Sequence, residues 1–212
     1  MADLSIETTV QTQTNLLHIA GLDEAGRGAL AGPVVAAAVI LPLNNPKALA
    51  QLAAVNDSKQ LSPITRSALS AHITQYALAY GIGLATADCI DEIGIIAATK
   101  QAMCAAVAQL SPAAEYLLVD GRICLTTLNL PQQAIIRGDA QSVSIAAASI
   151  LAKVTRDQFM IELDGRYPTY GFAQHKGYGT PQHLAALQNS GPCPLHRRSF
   201  APLRQTLENN EL

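Results

Sequence analysis

Short apolar runs alternate with amphipathic stretches along this chain, and the two predict different elements. Residues 16–22 are mostly apolar and end at Asp23, which predicts a strand. Residues 34–41 are apolar at every position, so this second strand should be buried on both faces and central in a sheet. After a loop over 44–58, Ser62-Pro63 predicts a helix start, with Ser at the N-cap and Pro at the first helical position. Leu69, Ile73, Tyr76 and Tyr80 then follow on one helical face, and Gly81 should end that helix. An edge-like strand is expected over 82–87. A mostly helical stretch follows over 88–110, with Ile96, Met103, Val107 and Leu110 as its apolar stripe. Residues 116–119 and 133–136 read as strands ending at Asp120 and near Asp139. Residues 142–160 read as a long helix whose Ala- and Ser-rich first half can lie close to a sheet or to a ligand backbone. Thr180-Pro181 opens a last helix that ends near Gly191. This order suggests a mixed sheet covered by helices on both faces.

Composition narrows the class. The chain has 212 residues, 49% hydrophobic and only 14% charged, which suits one α/β domain and argues against extensive disorder. The polar stretch 1–15 reads as a disordered tail, leaving 16–212 as one domain. It has neither a basic start nor an apolar core, so no secretory signal is expected. The longest apolar stretch, 29–43, is broken by Gly32, Pro33 and Pro42 and is too short to span a bilayer. The four cysteines form no Cys-x-x-Cys pair, so they read as buried reduced thiols of a cytoplasmic protein rather than as zinc or redox ligands.

Net charge is −2, yet the charge is unevenly spread. Between Arg137 and Arg204 there are eight Lys or Arg against four Asp or Glu, whereas the rest of the chain holds six basic and twelve acidic residues. A basic C-terminal third facing an acidic cluster suits a metal-dependent nuclease.

The candidate cluster consists of Asp23, Glu24, Asp120 and Asp139, each at or just past the end of a strand candidate. Strand ends of one α/β sheet converge in space. Carboxylate oxygens suit Mg²⁺ or Mn²⁺, and like charges brought together need a cation. Asp-Gly is also a common turn pair, so the constellation carries the reading rather than any single aspartate. Directly after Asp23-Glu24 comes Gly26-Arg27-Gly28, a turn whose backbone can approach a sugar closely and whose arginine can reach a phosphate. Lys59, Lys153, Lys176, Arg197 and Arg198 are candidates for duplex phosphate contacts. His175, His183 and His196 could face a duplex, with a satisfied interior or surface histidine as the ordinary alternative.

The block Gly21-Leu22-Asp23-Glu24-Ala25-Gly26-Arg27-Gly28, with its continuation to Ala38, resembles the signature of bacterial ribonuclease HII. The resemblance continues through Asn56-Asp57-Ser58-Lys59, Val119-Asp120-Gly121 and Gly138-Asp139-Ala140. It then takes in residues 144–157, His175-Lys176-Gly177-Tyr178-Gly179-Thr180 and His196-Arg197-Arg198-Ser199-Phe200. The blocks stand in the family's order over about residues 18–203. Ala29, Arg137 and Gln141 depart from residues frequent in the family, and none is an expected ligand.

The resemblance implies an α/β ribonuclease H-like fold, a five-stranded mixed β-sheet flanked by helices on both faces, with a C-terminal helical region. It implies a two-metal Mg²⁺ or Mn²⁺ site held by Asp23, Glu24, Asp120 and Asp139. The implied activity is hydrolysis of RNA in RNA/DNA hybrids and nicking 5′ of single ribonucleotides in duplex DNA. Gly26, Arg27 and Gly28 would contact the ribonucleotide, and Tyr178 would stack on the sugar of the next nucleotide. A monomer without an obligate protein partner is expected, and residues 207–212 show no obvious sliding-clamp peptide. The alternatives are another nuclease of this fold or a non-catalytic hybrid-binding module.

Overall fold

The apolar run at 34–41 is strand β2 (Val34–Ile40), and all of it is buried. In the computed structural model, which describes residues 2–55 and 62–204, it pairs antiparallel with β1 (Ile19–Ala25) and β3 (Ala79–Ala85). β1 in turn pairs parallel with β4 (Tyr116–Asp120), and β4 with β5 (Gln132–Ile135). The result is a five-stranded mixed sheet ordered β3-β2-β1-β4-β5, with β3 at an edge as expected.

Alternation along β2 explains its composition. Ala36, Ala38 and Ile40 belong to one core with Ala98, Ala102, Met103 and Ala106 of helix α5 (Ile95–Val107). Ala37 and Val39 belong to a second core with Ala147, Ile150 and Leu151 of helix α6 (Val143–Asp164), and with Leu69 and Ile73 of α3 (Pro63–Tyr76). Both faces are therefore covered, as a near-continuous apolar strand requires. Close approach is built in. A Cβ at Gly21 would lie 2.2 Å from the Ser144 carbonyl carbon, and one at Gly83 would lie 2.0 Å from the Ala102 oxygen. The helices rest almost on the strand backbones.

Several expectations shift in the tertiary structure. α3 starts as predicted, with the Ser62 hydroxyl accepting the Thr65 N–H at 3.2 Å, but it ends at Tyr76. Tyr80 and Gly81 belong instead to β3, because the open edge of β2 recruits them in register with Val39 and Ala38. The stretch 88–110 is divided at Gly94 (φ +80°) into α4 (Ala87–Ile93) and α5. The stripe is rotated too: Ile96 is 57% exposed, while Ala98, Ala102 and Ala106 join Met103 in the core.

The expected disordered tail is corrected to a docked helix, α1 (Ser5–Thr14). Its Glu7 is fully buried. Oε1 of Glu7 accepts hydrogen bonds from the Ser142 hydroxyl (2.6 Å), the Ser144 hydroxyl (2.7 Å) and the Ser144 N–H (2.9 Å), at the N-terminus of α6. A carboxylate at a helix N-terminus meets unsatisfied amides and the positive end of the helix dipole. Val10 adds apolar contact with Ile19, Leu118 and Ile145.

Two further helices, α7 (Phe172–His175) and α8 (Pro181–Ser190), form the expected C-terminal helical region, and Met160, Tyr170 and Phe172 share a small core beneath them. A short helix, α2 (Pro46–Ala50), lies in the loop after β2. The expectations for Lys59 and for residues 207–212 lie outside the described residues. Among the described residues no helix is long and apolar enough to cross a membrane. The cysteines are free, but only Cys193 is buried, and Cys124 is exposed.

Candidate active site

β1 runs through Asp23 and Glu24 rather than ending before them, because β2 pairs with it to Ala25. Leu22 is level with Val119 of β4, so Asp23 and Asp120 come next to each other on adjacent parallel strands. Asp120 Oδ1 accepts the Gly138 N–H at 2.6 Å, tying the end of β4 to the 3₁₀ turn Gly138–Ala140 that carries Asp139. The four carboxylates thus sit on neighbouring strand ends and one bridging turn.

Their electrostatics are unfavourable without a cation. Asp23 is 7% exposed, and burial, reinforced by the charges of Glu24 and Asp120, holds its carboxyl well above the usual range. Glu24 is raised by burial, a shift opposed by its pairing with Arg27, whose Nη1 lies 3.1 Å from Oε1. The other Glu24 oxygen, Oε2, is buried without a hydrogen-bond partner. Hard oxygen donors, crowded like charges and an unused buried lone pair fit a divalent cation. Among the described residues no three Asp, Glu, His or Cys side chains already stand close enough together to hold a metal ion.

The loop after β1, residues 26–33, is held by two buried arginines. Arg156 donates from Nε to the Pro33 carbonyl (2.9 Å) and from Nη2 to the Ala31 carbonyl (3.1 Å). Arg197 donates from Nε and Nη2 to the Gly32 carbonyl (3.0 and 2.9 Å) and from Nη1 to the Arg27 carbonyl (2.9 Å). Both side chains are fully buried, and burial lowers both pKa values, Arg197 to about 9. Gly26 has φ +93°, and a Cβ there would sit 1.9 Å from Arg156 Nε. Only glycine allows the loop to close onto that guanidinium.

Tyr178 stands across the cleft from this loop. Its ring centroid lies 5.3 Å from Arg156 Cζ and 5.7 Å from Lys153 Nζ. A histidine chain fixes its backbone. His183 Nδ1 lies 3.0 Å from the Tyr178 carbonyl and must donate to it, which leaves His183 Nε2 to accept from His196 Nε2–H at 3.0 Å. His196 Nδ1 then accepts the Cys193 N–H at 3.0 Å. Burial, followed by the nearby His183, lowers His196 to about 4, so the chain is neutral at pH 7. His175 stacks on His183, with ring centroids 4.4 Å apart. These three histidines are interior and do not face a duplex.

Glu24, Gly26, Arg27, Gly28, Lys153 and Tyr178 therefore share one cleft of about 400 Å³, joined by Arg66 and Ser149. Arg197, expected at a phosphate, is instead a buried clamp, because its fork finds two loop carbonyls. Lys153 pairs with Asp157 at 2.7 Å, and the Lys176 ammonium caps the Ala173 carbonyl. Arg198 is exposed, away from the cleft lining, and its N–H is bound by Asp91. The basic C-terminal third thus presents less free charge than its count suggests. Sequence reasoning assigned no role to Arg156, Arg66 or Ser149. Only the long match over residues 144–157 pointed towards Arg156 and Ser149.

The sheet order, the helices on both faces and the acidic strand ends define a nuclease of ribonuclease H-like fold. A sequence model of the family described as Ribonuclease HII matches residues 20–203. A ribonuclease HII of Geobacillus thermodenitrificans is 60% identical over 90% of this chain and 71% of its own length. That of Geobacter metallireducens is 54% identical over 88% and 85%. The solved ribonuclease H2 of Pyrococcus horikoshii superposes with a TM-score of 0.77 at 27% identity, covering 91% of this chain and 98% of that one. The chain belongs to the ribonuclease HII family, and it is an endoribonuclease of the ribonuclease H type.

Proposed function

We propose that the protein is a divalent-metal-dependent endonuclease. It hydrolyses the RNA strand of RNA/DNA hybrids and nicks 5′ of ribonucleotides embedded in duplex DNA, leaving 3′-hydroxyl and 5′-phosphate ends. The observation that carries this reading is the adjacency of the four carboxylates to a cleft lined by Gly26–Gly28 and Tyr178. Asp23, Glu24, Asp120 and Asp139 would hold Mg²⁺ or Mn²⁺, which as a pair supply an activated water and neutralise charge at the scissile phosphate.

The chain's own groups do the selecting. The loop amides can approach a ribose because glycine leaves the backbone bare, and Arg27 reaches out while anchored on Glu24. A 2′-hydroxyl offers one donor and one acceptor that DNA lacks, so this close approach is where RNA is told from DNA. The Tyr178 ring, backed by Arg156, offers a flat wall on which the following sugar would stack, and a second 2′-hydroxyl on that sugar would be turned against the ring. Preference for an RNA–DNA junction follows.

The test is cleavage of duplex DNA carrying one ribonucleotide, with Mg²⁺ or Mn²⁺ and with EDTA. A metal-dependent nick 5′ of the ribonucleotide is expected, and none would refute the reading. Asp139→Asn should abolish the nick while the duplex is still bound. Tyr178→Ala should blunt junction preference more than it weakens hybrid binding.

A further inference from the structure

A second cleft, of about 440 Å³, opens on the other side of the carboxylates, between the start of α5 and the turn after β4. Arg27 lines both clefts. Glu24 borders the first, and Asp120 directly precedes Gly121 in the wall of the second, so the acidic centre lies between them. The second cleft has no acidic residue in its lining. Lys100 and Arg122 stand at its edge, and neither makes an ion pair among the described residues. Its floor includes Ile96 and Ile136, which are 57% and 56% exposed. Two large aliphatic side chains left in water beside two uncompensated cations mark a surface built to be covered.

A sugar–phosphate backbone matches that chemistry: apolar C–H faces of the sugars over the isoleucines, and phosphates against Lys100 and Arg122. We propose that this cleft binds the substrate strand on the 5′ side of the cut. The proposal rests on the function proposed above, in which Tyr178 takes the nucleotide 3′ of the ribonucleotide in the first cleft. A strand that enters there and crosses the carboxylates leaves past Arg27 into the second cleft. Neither Lys100 nor Arg122 was singled out by the sequence, since each alone is an ordinary surface cation.

The experiment uses the Asp139→Asn protein and duplexes with one ribonucleotide, measuring binding against salt. Lys100→Glu with Arg122→Glu should lower the slope of log affinity against log salt by about 1.8, at about 0.9 for each phosphate no longer neutralised. Trimming the duplex 5′ of the ribonucleotide should weaken binding by the protein with Lys100 and Arg122 intact, and weaken the charge-reversed variant no further. A probe that leaves these residues in place is Cys124, an exposed thiol in the cleft wall. Its alkylation by N-ethylmaleimide should slow when the long-flank duplex is bound, and should not slow with the trimmed one. An unchanged salt slope, or equal Cys124 reactivity with both duplexes, overturns the proposal. Cleavage of the long-flank duplex by the parent protein is read alongside. Its absence would refute the proposed function, whereas cleavage with an unchanged slope would refute the second cleft alone.

Discussion

Arg197→Lys separates two roles that a basic residue near a nucleic-acid site can play. Arg197 makes three hydrogen bonds to two loop carbonyls while fully buried. A lysine can place one ammonium near one carbonyl but has no fork to span both. Hydrogen bonds from a charged group contribute about 1.5–3 kcal/mol each, so removing two of them sets a cost of roughly 3–6 kcal/mol, with relaxation favouring the lower end. The charge is at risk as well. Arg197 keeps its proton at pH 7 with a pKa of about 9, and a lysine starts about two units lower. For a chain of this size, about 3 kcal/mol lowers the melting temperature by at least ~6 °C. The chain has no tryptophan, so far-ultraviolet circular dichroism is the suitable probe. The salt dependence of duplex binding should keep its slope, because the Arg197 guanidinium is buried and bound to loop carbonyls. An unchanged melting temperature together with a slope reduced by about 0.9 would refute the clamp and restore the phosphate role.

Three further outcomes follow from the same geometry. Gly26→Ala drives a methyl into Arg156 and forces φ +93° on a residue with a Cβ, so urea unfolding should show a loss of about 3 kcal/mol or more, with cleavage reduced; a loss under about 0.5 kcal/mol would contradict the close packing. Glu7→Ala strips the partner from three donors at the start of α6 and should cost about 2–4 kcal/mol in urea unfolding, with α1 becoming sensitive to limited proteolysis; a protease-resistant variant of parental stability would mean that α1 is not anchored through Glu7. His196 has a folded pKa of about 4, below the 6.5 of an unfolded histidine, so between those values the unfolded chain binds the extra proton. Stability should therefore fall as pH drops from 6.5 towards 4, by roughly 3 kcal/mol at most, and His196→Gln should flatten that part of the urea-midpoint profile. Parallel profiles for parent and variant would contradict this.

Much of the fold was legible because its signals are local. The apolar run at 34–41, the Ser62-Pro63 start and the Ala-rich stretch after Ser142 each state a preference within a few residues, and each became the expected element. The carboxylates were legible for a related reason. Strand ends point where strands point, so Asp23, Asp120 and the turn carrying Asp139 meet once the sheet order is set. Local reading failed where a neighbour in space decided the outcome. Tyr80 and Gly81 continued a helical pattern until the edge of β2 claimed them. Ile96 sat on a plausible stripe until Gly94 turned α5 and gave that face to small alanines.

By itself, the sequence determined which residues are the candidates for the chemistry: the four carboxylates, the Gly-Arg-Gly turn and Tyr178. The tertiary structure decided what supports them. Glu7 meets α6 across 135 positions, Arg156 meets Pro33 across 123, and Arg197 meets Arg27 across 170. A buried charge or a neutral histidine chain is stable only when distant groups complete its hydrogen bonds. No window of sequence holds both partners, so a polar stretch read as a tail and an arginine read as a phosphate contact found their roles only when the chain closed around them.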